Sequence, residues 1–271
     1  MPKISVIMGV YNCKDIKGLE QSIESIIQQT FRDWEFIICN DGSTDDTFEY
    51  LIKFSAKDSR IKIISYKNNH GLAFALNYCL KYAKGEYIAR QDDDDVSKAD
   101  RLEKELMFLD SHPEYAFVGT LADVFDEGGM WGKYNLREKP DKKAFFWNSP
   151  FLHPSILIRK NVLNLVSGYR VINETRRCED YDLFMRLYAL NIKGYNLQEY
   201  LYKYRFDRQT NKKYRNLSDR INEAKIRWCG FKKMGVLWLG IPFIIKPILI
   251  GIIPQKIYDF IKLTNSSFRK V

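Results

Sequence analysis

The 271-residue chain has no paired cysteines, few histidines and no glycine-rich phosphate loop, and each shortage removes a class of protein. Its five cysteines, Cys13, Cys39, Cys79, Cys178 and Cys229, are odd in number, far apart and never spaced as CxxC. That excludes a small disulfide scaffold and reads as reduced thiols in a cytosolic protein. With only His70, His112 and His153 available, no zinc site is expected. No GxGxxG follows a strand pattern, and Gly128–Lys133 (GGMWGK) is too short for a Walker loop and lacks the following Ser or Thr. The front of the chain carries no signal-peptide pattern, because Met1-Pro2-Lys3 runs directly into a short apolar stretch. An uninterrupted membrane-length run is also missing. Residues 234–254 hold a single charge, Lys246, but three prolines and three glycines break them up. They are expected to lie at a membrane interface or re-enter it, and the alternative is a helix pair buried on the core.

What is present is a core-forming composition. The chain is 45% hydrophobic, with 17 Phe, 17 Tyr and 5 Trp, which excludes intrinsic disorder. The net charge of +9 is concentrated at one end: residues 200–271 carry 16 Lys+Arg against 4 Asp+Glu, and residues 1–199 carry 27 against 30. A basic tail on a slightly acidic body argues against a nucleic-acid groove spread over the fold and for one cationic surface facing an anionic partner.

Over the first hundred residues short apolar runs alternate with helical periodicity. Strands are predicted at 4–10, 34–39, 61–66 and 86–90, and helices at 16–29, from about 47, and at 72–82. Such alternation implies an α/β sandwich with a mainly parallel sheet, in which the loops after the strands share one rim. Three polar clusters follow predicted strands and should meet there: Tyr11-Asn12, Asp41-Gly42-Ser43 and Asp92 to Asp95. Further on, strands are expected at 116–124, 155–159 and 195–206, and an amphipathic helix at 180–190.

Four adjacent carboxylates repel one another unless a cation or strong donors stand between them. Alternation along an extended chain lets Asp92 and Asp94 share one hard divalent ion, with Asp93 and Asp95 pointing elsewhere. A solvated acidic loop is the alternative, and a calcium loop is disfavoured because the run has no Gly. With no glycine cradle, a diphosphate would have to be held through that metal. Asp41 sits where it could accept hydrogen bonds from a base or sugar, or simply cap the next helix, and Tyr11 could stack on a planar ring. Glu179-Asp180 opens a helix, as a dipole-stabilised cap or as a general base held in the cleft. His153, ahead of Pro154, reads as a loop residue.

The ordered blocks ISVIMGVYN, DGSTDDT (41–47), NHGLAFALN (69–77), GEYIARQDDDD (85–95), HPSILIRK (153–160) and CEDYDLFMRL (178–187) resemble the family 2 glycosyltransferases. The resemblance spans roughly residues 3–206. It implies the GT-A fold, a nucleotide-sugar-binding half (1–105), an acceptor-binding half (106–215) and, beyond them, a basic, apolar C-terminal segment (216–271). Asp92-Asp93-Asp94 is similar to the family's DxD motif, whose last aspartate contacts metal and diphosphate. Asp93 departs from the small residue usual there. Asp41 matches the uracil-binding aspartate, Tyr11 a position beside the base, and Asp180, in the Glu179-Asp180 pair, the catalytic base.

The implied activity is inverting transfer of a hexose or N-acetylhexosamine from a UDP-sugar, with Mn²⁺ or Mg²⁺. The acceptor is a saccharide on a polyprenyl diphosphate, as in O-antigen and surface-polysaccharide synthesis. The partners expected are thus donor, lipid-linked acceptor and an anionic membrane surface, with no nucleic acid. The protein is expected in the cytoplasm, peripheral on the inner face of a bacterial membrane. Two rivals are a nucleotide-sugar-binding homologue without turnover, against which the intact Asp180 argues, and a sugar-1-phosphate nucleotidyltransferase, whose glycine-rich loop is missing.

Overall fold

A computed structural model describes residues 1–207 and 216–252 and the backbone of residues 268–270. The front half alternates as the hydrophobic pattern requires: β1 (Ile4–Val10), α1 (Ile16–Ile27), β2 (Trp34–Asn40), α2 (Thr47–Ser55), β3 (Ile61–Ser65), α3 (Leu72–Tyr82) and β4 (Tyr87–Arg90). Then come β5 (Val96–Ser97), α4 (Arg101–Ser111), β6 (Phe117–Asp126), β7 (Gly129–Tyr134), β8 (Leu157–Arg159) and α5 (Lys160–Leu165). The chain continues through α6 (Glu179–Ala189), β9 (Gly194–Arg205), α7 (Leu217–Met234) and α8 (Leu237–Ile252), and a short β10 (Phe268–Lys270) lies along β7.

The sheet order is β10-β7-β6-β8-β4-β1-β2-β3, with β9 beside β6 and paired to β5. Strands β4, β1, β2 and β3 are mutually parallel, whereas β8 joins β4 antiparallel and β6 pairs antiparallel with β7 and β8. The parallel sheet expected from the sequence is therefore its front half, and hairpin-linked strands extend it into a mixed sheet.

Period-two alternation builds a core on each face. Ile4, Val6, Met8 and Val10 of β1, with Phe36 and Ile38 of β2, pack against Leu19, Ile23 and Ile26 of α1 and Leu102, Leu106 and Leu109 of α4. Ile7, Ile37 and Cys39 face the other way, into a cluster with Leu76 and Cys79 of α3, Phe184 and Leu187 of α6, and Phe231 of α7. Helix α4 and strand β7 were not foreseen. Helix α4 has a mixed surface, with Arg101 and Glu105 among its buried residues, and β7 is the GGMWGK stretch, whose glycines mask its strand character. The strand anticipated at 155–159 begins only at Leu157, because residues 153–155 form a 3₁₀ turn around Pro154.

Helix α7 ends at Gly235, whose φ of 76° turns the chain back into α8. Contrary to the reading of 234–254 as broken by its prolines, α8 runs through Pro242 and Pro247. One side of it packs on the core: Ile244 is buried and the Phe243 ring lies 5.0 Å from those of Phe146 and Trp147. Its other side leaves Trp238 83% exposed, with Leu239, Ile245 and Leu249 also exposed. Among the described residues no helix is long and apolar enough to cross a membrane. The last two residues of 234–254 lie outside the described residues.

Candidate active site

The loops that follow β1, β2 and β4 meet at one rim, and side-chain bonds lock them together. Asn12, in the left-handed region at φ 44°, donates its backbone N–H to Ser43 Oγ (3.0 Å), and its carboxamide oxygen accepts from the Thr44 N–H (2.9 Å). The Cys13 N–H donates to Thr47 Oγ1 at 2.9 Å. Tyr11, at the end of β1, is 46% exposed on this rim.

Asp41 is buried behind it, and its carboxylate already has four donors. Oδ1 accepts from the Tyr66 hydroxyl (2.6 Å) and the His70 N–H (2.8 Å), and Oδ2 from Asn69 Nδ2 (2.8 Å) and the Gly71 N–H (2.9 Å). Those bonds occupy the roughly four lone-pair sites a carboxylate offers. Gly42, φ 66°, follows because the 68–69 backbone passes too close for a side chain: a Cβ there would stand 2.5 Å from the Asn68 carbonyl carbon.

The acidic run leaves β4 through Arg90 and Gln91. Arg90 is buried and its guanidinium bonds the Gln91 carbonyl and the Asp92 carboxylate. Gln91 staples the loop, donating to the Asp95 carbonyl (2.9 Å) and to Ser22 Oγ (3.0 Å) and accepting from Ser97 Oγ (2.7 Å). Carboxylate oxygens of Asp92, Asp94 and Asp95 lie within 4.8 Å of one another. This corrects the expectation that Asp95 points away. The chain turns at residues 93–94, so simple alternation fails, and Asp95 is drawn inward by the Arg205 N–H, which donates to its Oδ1 at 2.7 Å.

Among the described residues Asp95 Oδ2 is buried with no hydrogen-bond partner, and the nearby Tyr202 hydroxyl favours the charged carboxylate. Burial, then Asp94 and Asp92, holds the Asp95 carboxyl well above the ordinary carboxylate range. Asp93 is pushed up to about 7 by burial, then by Asp94 and Asp92. Three converging carboxylates, one with an orphaned buried oxygen, form a donor set that suits a hard divalent cation.

Glu179 and Asp180 open α6, half-buried, and Asp182 is buried one turn further in. Asp182 does not face the rim: it accepts from Arg170 Nε (3.0 Å) and Arg186 Nε (2.8 Å), and Arg186 also ties the Val166 and Gly168 carbonyls. Burial, then Asp180, pushes the Glu179 carboxyl up to about 7, and both Arg90 and Asp92 are near enough to act on it. The two acidic runs therefore lie within electrostatic reach of one another. His153, expected in an open loop, is buried instead. Its Nε2 lies 2.8 Å from the Tyr169 hydroxyl, and burial, with the Arg90 charge, keeps the ring neutral.

The sequence profile of glycosyl transferase family 2 matches residues 5–173. The chain belongs to this family. It is 41% identical over 259 residues to the putative glycosyltransferase EpsE of Bacillus subtilis (strain 168), spanning 95% of this chain and 92% of that one. It is 36% identical over 216 residues to the O-antigen biosynthesis glycosyltransferase WbnJ of Escherichia coli, over 78% and 82% of the two chains. A UDP-Gal:alpha-D-GlcNAc-diphosphoundecaprenol beta-1,3-galactosyltransferase of Escherichia coli is 26% identical over 272 residues, 99% of this chain and 94% of that one. Among solved structures, Staphylococcus aureus TarS 1–349 in complex with UDP-GlcNAc superposes with a TM-score of 0.71 at 19% identity, over 90% of this chain and 73% of that one. The fold is thus GT-A.

In this family 2 glycosyltransferase the sequence pattern left Arg90 and Arg205 unmarked and turned Asp95 the wrong way. Arg205 reaches across from β9, bonding Asp15 at the cap of α1 and, through its N–H, Asp95. An arginine two positions ahead of an acidic run was a readable signal for Arg90. Nothing local marks Arg205, which is 110 residues from Asp95.

Proposed function

We propose that the chain is an inverting, metal-dependent glycosyltransferase. It moves a hexose or N-acetylhexosamine from a UDP-sugar to a saccharide on a polyprenyl diphosphate in surface-polysaccharide synthesis. The observation that carries this is the convergence of Asp92, Asp94 and Asp95 within 4.8 Å, with Glu179 within electrostatic reach of Asp92. Support for the substrates comes from the galactosyltransferase relative, whose name specifies a UDP-sugar donor and a diphosphoundecaprenol acceptor.

Asp180, presented at the start of a helix whose first turn is pinned through Asp182, takes the proton from the acceptor hydroxyl. The hydroxyl oxygen then bonds the anomeric carbon as the bond from that carbon to the diphosphate oxygen breaks on the opposite face. An α-linked donor therefore yields a β-glycoside. Asp92, Asp94 and Asp95 would hold Mn²⁺ or Mg²⁺, which when bound neutralises charge on the departing UDP. Tyr11 stacks on the uracil. Because the Asp41 carboxylate is already fully bonded, it reaches a uracil N–H only if Tyr66 or Asn69 releases it; otherwise it shapes the Asn69–Gly71 wall of the base pocket.

The enzyme works as a peripheral protein on the cytoplasmic face of the membrane. Exposed Lys232 and Lys233 adjoin the apolar side of α8, and each basic residue near an anionic leaflet contributes about 1 kcal/mol. Arg227, one of the 16 basic residues of 200–271, does not contribute to that surface: it is buried, donating to Glu223 (2.9 Å) and to the Phe146 and Trp147 carbonyls.

A panel of UDP-sugars, with Mn²⁺ and a saccharide-diphosphate-lipid acceptor, tests the reading. Turnover with one donor and a β-configured product supports it. Absence of turnover across the panel, or retention of configuration, overturns it. High salt with mild detergent is expected to release the protein from membranes.

A further inference from the structure

We infer that Arg176 and Arg177 bind the diphosphate of the lipid-linked acceptor, with the tail leaving along the exposed apolar residues of α7 and α8. This rests on the reading just given, because only such an acceptor carries a diphosphate. That substrate pair brings two diphosphates to one cleft. The carboxylates of Asp92, Asp94 and Asp95 can serve one of them through a cation, and they repel the other. A second anion site is required, and it must be cationic in its own right and close to the base.

The turn just before Glu179 and Asp180 meets that requirement. Arg176 and Arg177 are both exposed. Arg177 holds a left-handed backbone, φ 63°, which a residue with a bulky side chain keeps only where its surroundings enforce it. The enforcement is visible: the Cys178 N–H donates to the Thr175 carbonyl at 2.8 Å, and Thr175 Oγ1 donates to the Arg170 carbonyl at 2.8 Å. The Arg177 guanidinium rests 3.5 Å from Asp219 on α7, an exposed contact, and the Arg176 guanidinium makes no ion pair among the described residues. Arginine's planar fork suits a phosphate better than an ammonium does.

The same turn is moored to the helical hairpin. Besides Asp219, Lys225 lies 3.8 Å from Glu174, and Asn222 Nδ2 reaches the Asn173 carbonyl at 3.5 Å. Helix α8 returns so that Gly251 packs on the first turn of α7, where a Cβ would stand 2.8 Å from Arg220 Cδ and 3.3 Å from Leu217 Cδ1. Leu217, Ile221 and Leu249 are all exposed around this corner. An apolar surface, a pair of arginines and a carboxylate base thus follow one another along the molecule. A lipid tail, a diphosphate and a sugar hydroxyl follow in the same order. Glu174 and Asp219 are the opposing charges at the turn: Glu174 lies 3.8 Å from Lys225, and Asp219 is the exposed carboxylate that the Arg177 guanidinium must exchange for a phosphate.

Full-length protein and the variants Arg176→Gln, Arg177→Gln and Arg177→Lys test this in two ways. The first compares kcat/KM for an acceptor saccharide carrying a diphosphate and short isoprenyl tail with that for the same saccharide as an alkyl glycoside. Each Gln variant should lower the preference for the diphosphate acceptor by about tenfold, through KM, and Arg177→Lys should recover part of it. An unchanged preference overturns the inference.

The second does not depend on turnover. Binding is measured in EDTA to phosphatidylcholine vesicles doped with isoprenyl diphosphate, and to vesicles doped to equal charge with phosphatidylglycerol. Wild type should favour the diphosphate vesicles by about tenfold, and the Arg176→Gln/Arg177→Gln double variant should bind both alike. Equal binding by wild type means a merely cationic surface and overturns the inference. Selective vesicle binding without turnover on any UDP-sugar would keep the diphosphate site and reject the transferase reading.

Discussion

Asp92–Asp95 and Glu179–Asp182 are both dense acidic runs beginning at an element boundary, yet the structure treats them differently. In the first, three carboxylates converge, Arg90 bonds Asp92, and one buried oxygen of Asp95 has no hydrogen-bond partner among the described residues. In the second, Asp182 turns inward and is neutralised by Arg170 and Arg186, leaving Glu179 and Asp180 at the cleft. A carboxylate's role therefore follows from how many donors surround it, not from its place in an acidic string. An under-compensated cluster waits for a cation; a compensated aspartate holds its neighbours in place.

That contrast can be broken most directly at the first run. Asp94→Asn, or removal of divalent ions with EDTA, is expected to lower transfer by about three orders of magnitude or more, with Mn²⁺ or Mg²⁺ restoring the EDTA-treated enzyme. Full activity in a metal-free preparation would leave the converging carboxylates without a purpose. At the second run Asp180→Asn keeps shape and removes basicity, so transfer should fall by about two to four orders of magnitude while donor binding, followed by titration calorimetry, persists. A fall of less than about tenfold would reduce Asp180 to a helix cap and make Glu179 the next candidate.

Asp182 sharpens the comparison from the other side. Asp182→Ala leaves Arg170 and Arg186 without their shared partner and should cost about 3–5 kcal/mol in denaturant unfolding. A variant that unfolds normally but loses turnover would give Asp182 the role assigned here to Asp180.

A smaller effect is expected at Glu105, where a buried carboxylate has neither donors nor a converging set. Both its oxygens lack hydrogen-bond partners among the described residues, and burial, opposed by Arg101, pushes its carboxyl up to about 8. The folded protein thus holds the Glu105 proton more tightly than the unfolded chain. Stability is lost as pH rises from the unfolded value near 4.5 through about 8. Glu105→Gln removes that titration. Its stability relative to wild type should climb by about 1–3 kcal/mol between about pH 5 and pH 8, whatever the offset caused by leaving Arg101 alone. Parallel pH profiles of thermal melting would show that Glu105 is compensated like Asp182.

Much of the donor half was legible because its signals are local. Alternating apolar residues define β1 and β2, the turns at Asn40–Ser43 and Asn68–Gly71 end strands, and right-handed crossovers bring their tips to one rim. The site was half legible. Asp92 and Asp94 could be paired by alternation along the chain, and Asp180 by its place at the head of an amphipathic helix. Asp95 could not, because its inward turn depends on an N–H from Arg205, a residue that approaches only once β9 has joined β6 and β5.

The sequence by itself determined the strand–helix alternation, the shared rim and the kinds of side chain that gather there, since each depends on residues within a few positions of one another. Tertiary structure alone decided the charges. It set Arg227 inside against Glu223 and two carbonyls, although its neighbours along the chain suggested a basic surface. It made His153 a buried neutral ring against Tyr169 and placed one face of α8 on Phe146 and Trp147 while leaving the other bare. The physical reason is that solvation and pairing belong to a side chain's full surroundings. Most of those surroundings are supplied by residues tens of positions away.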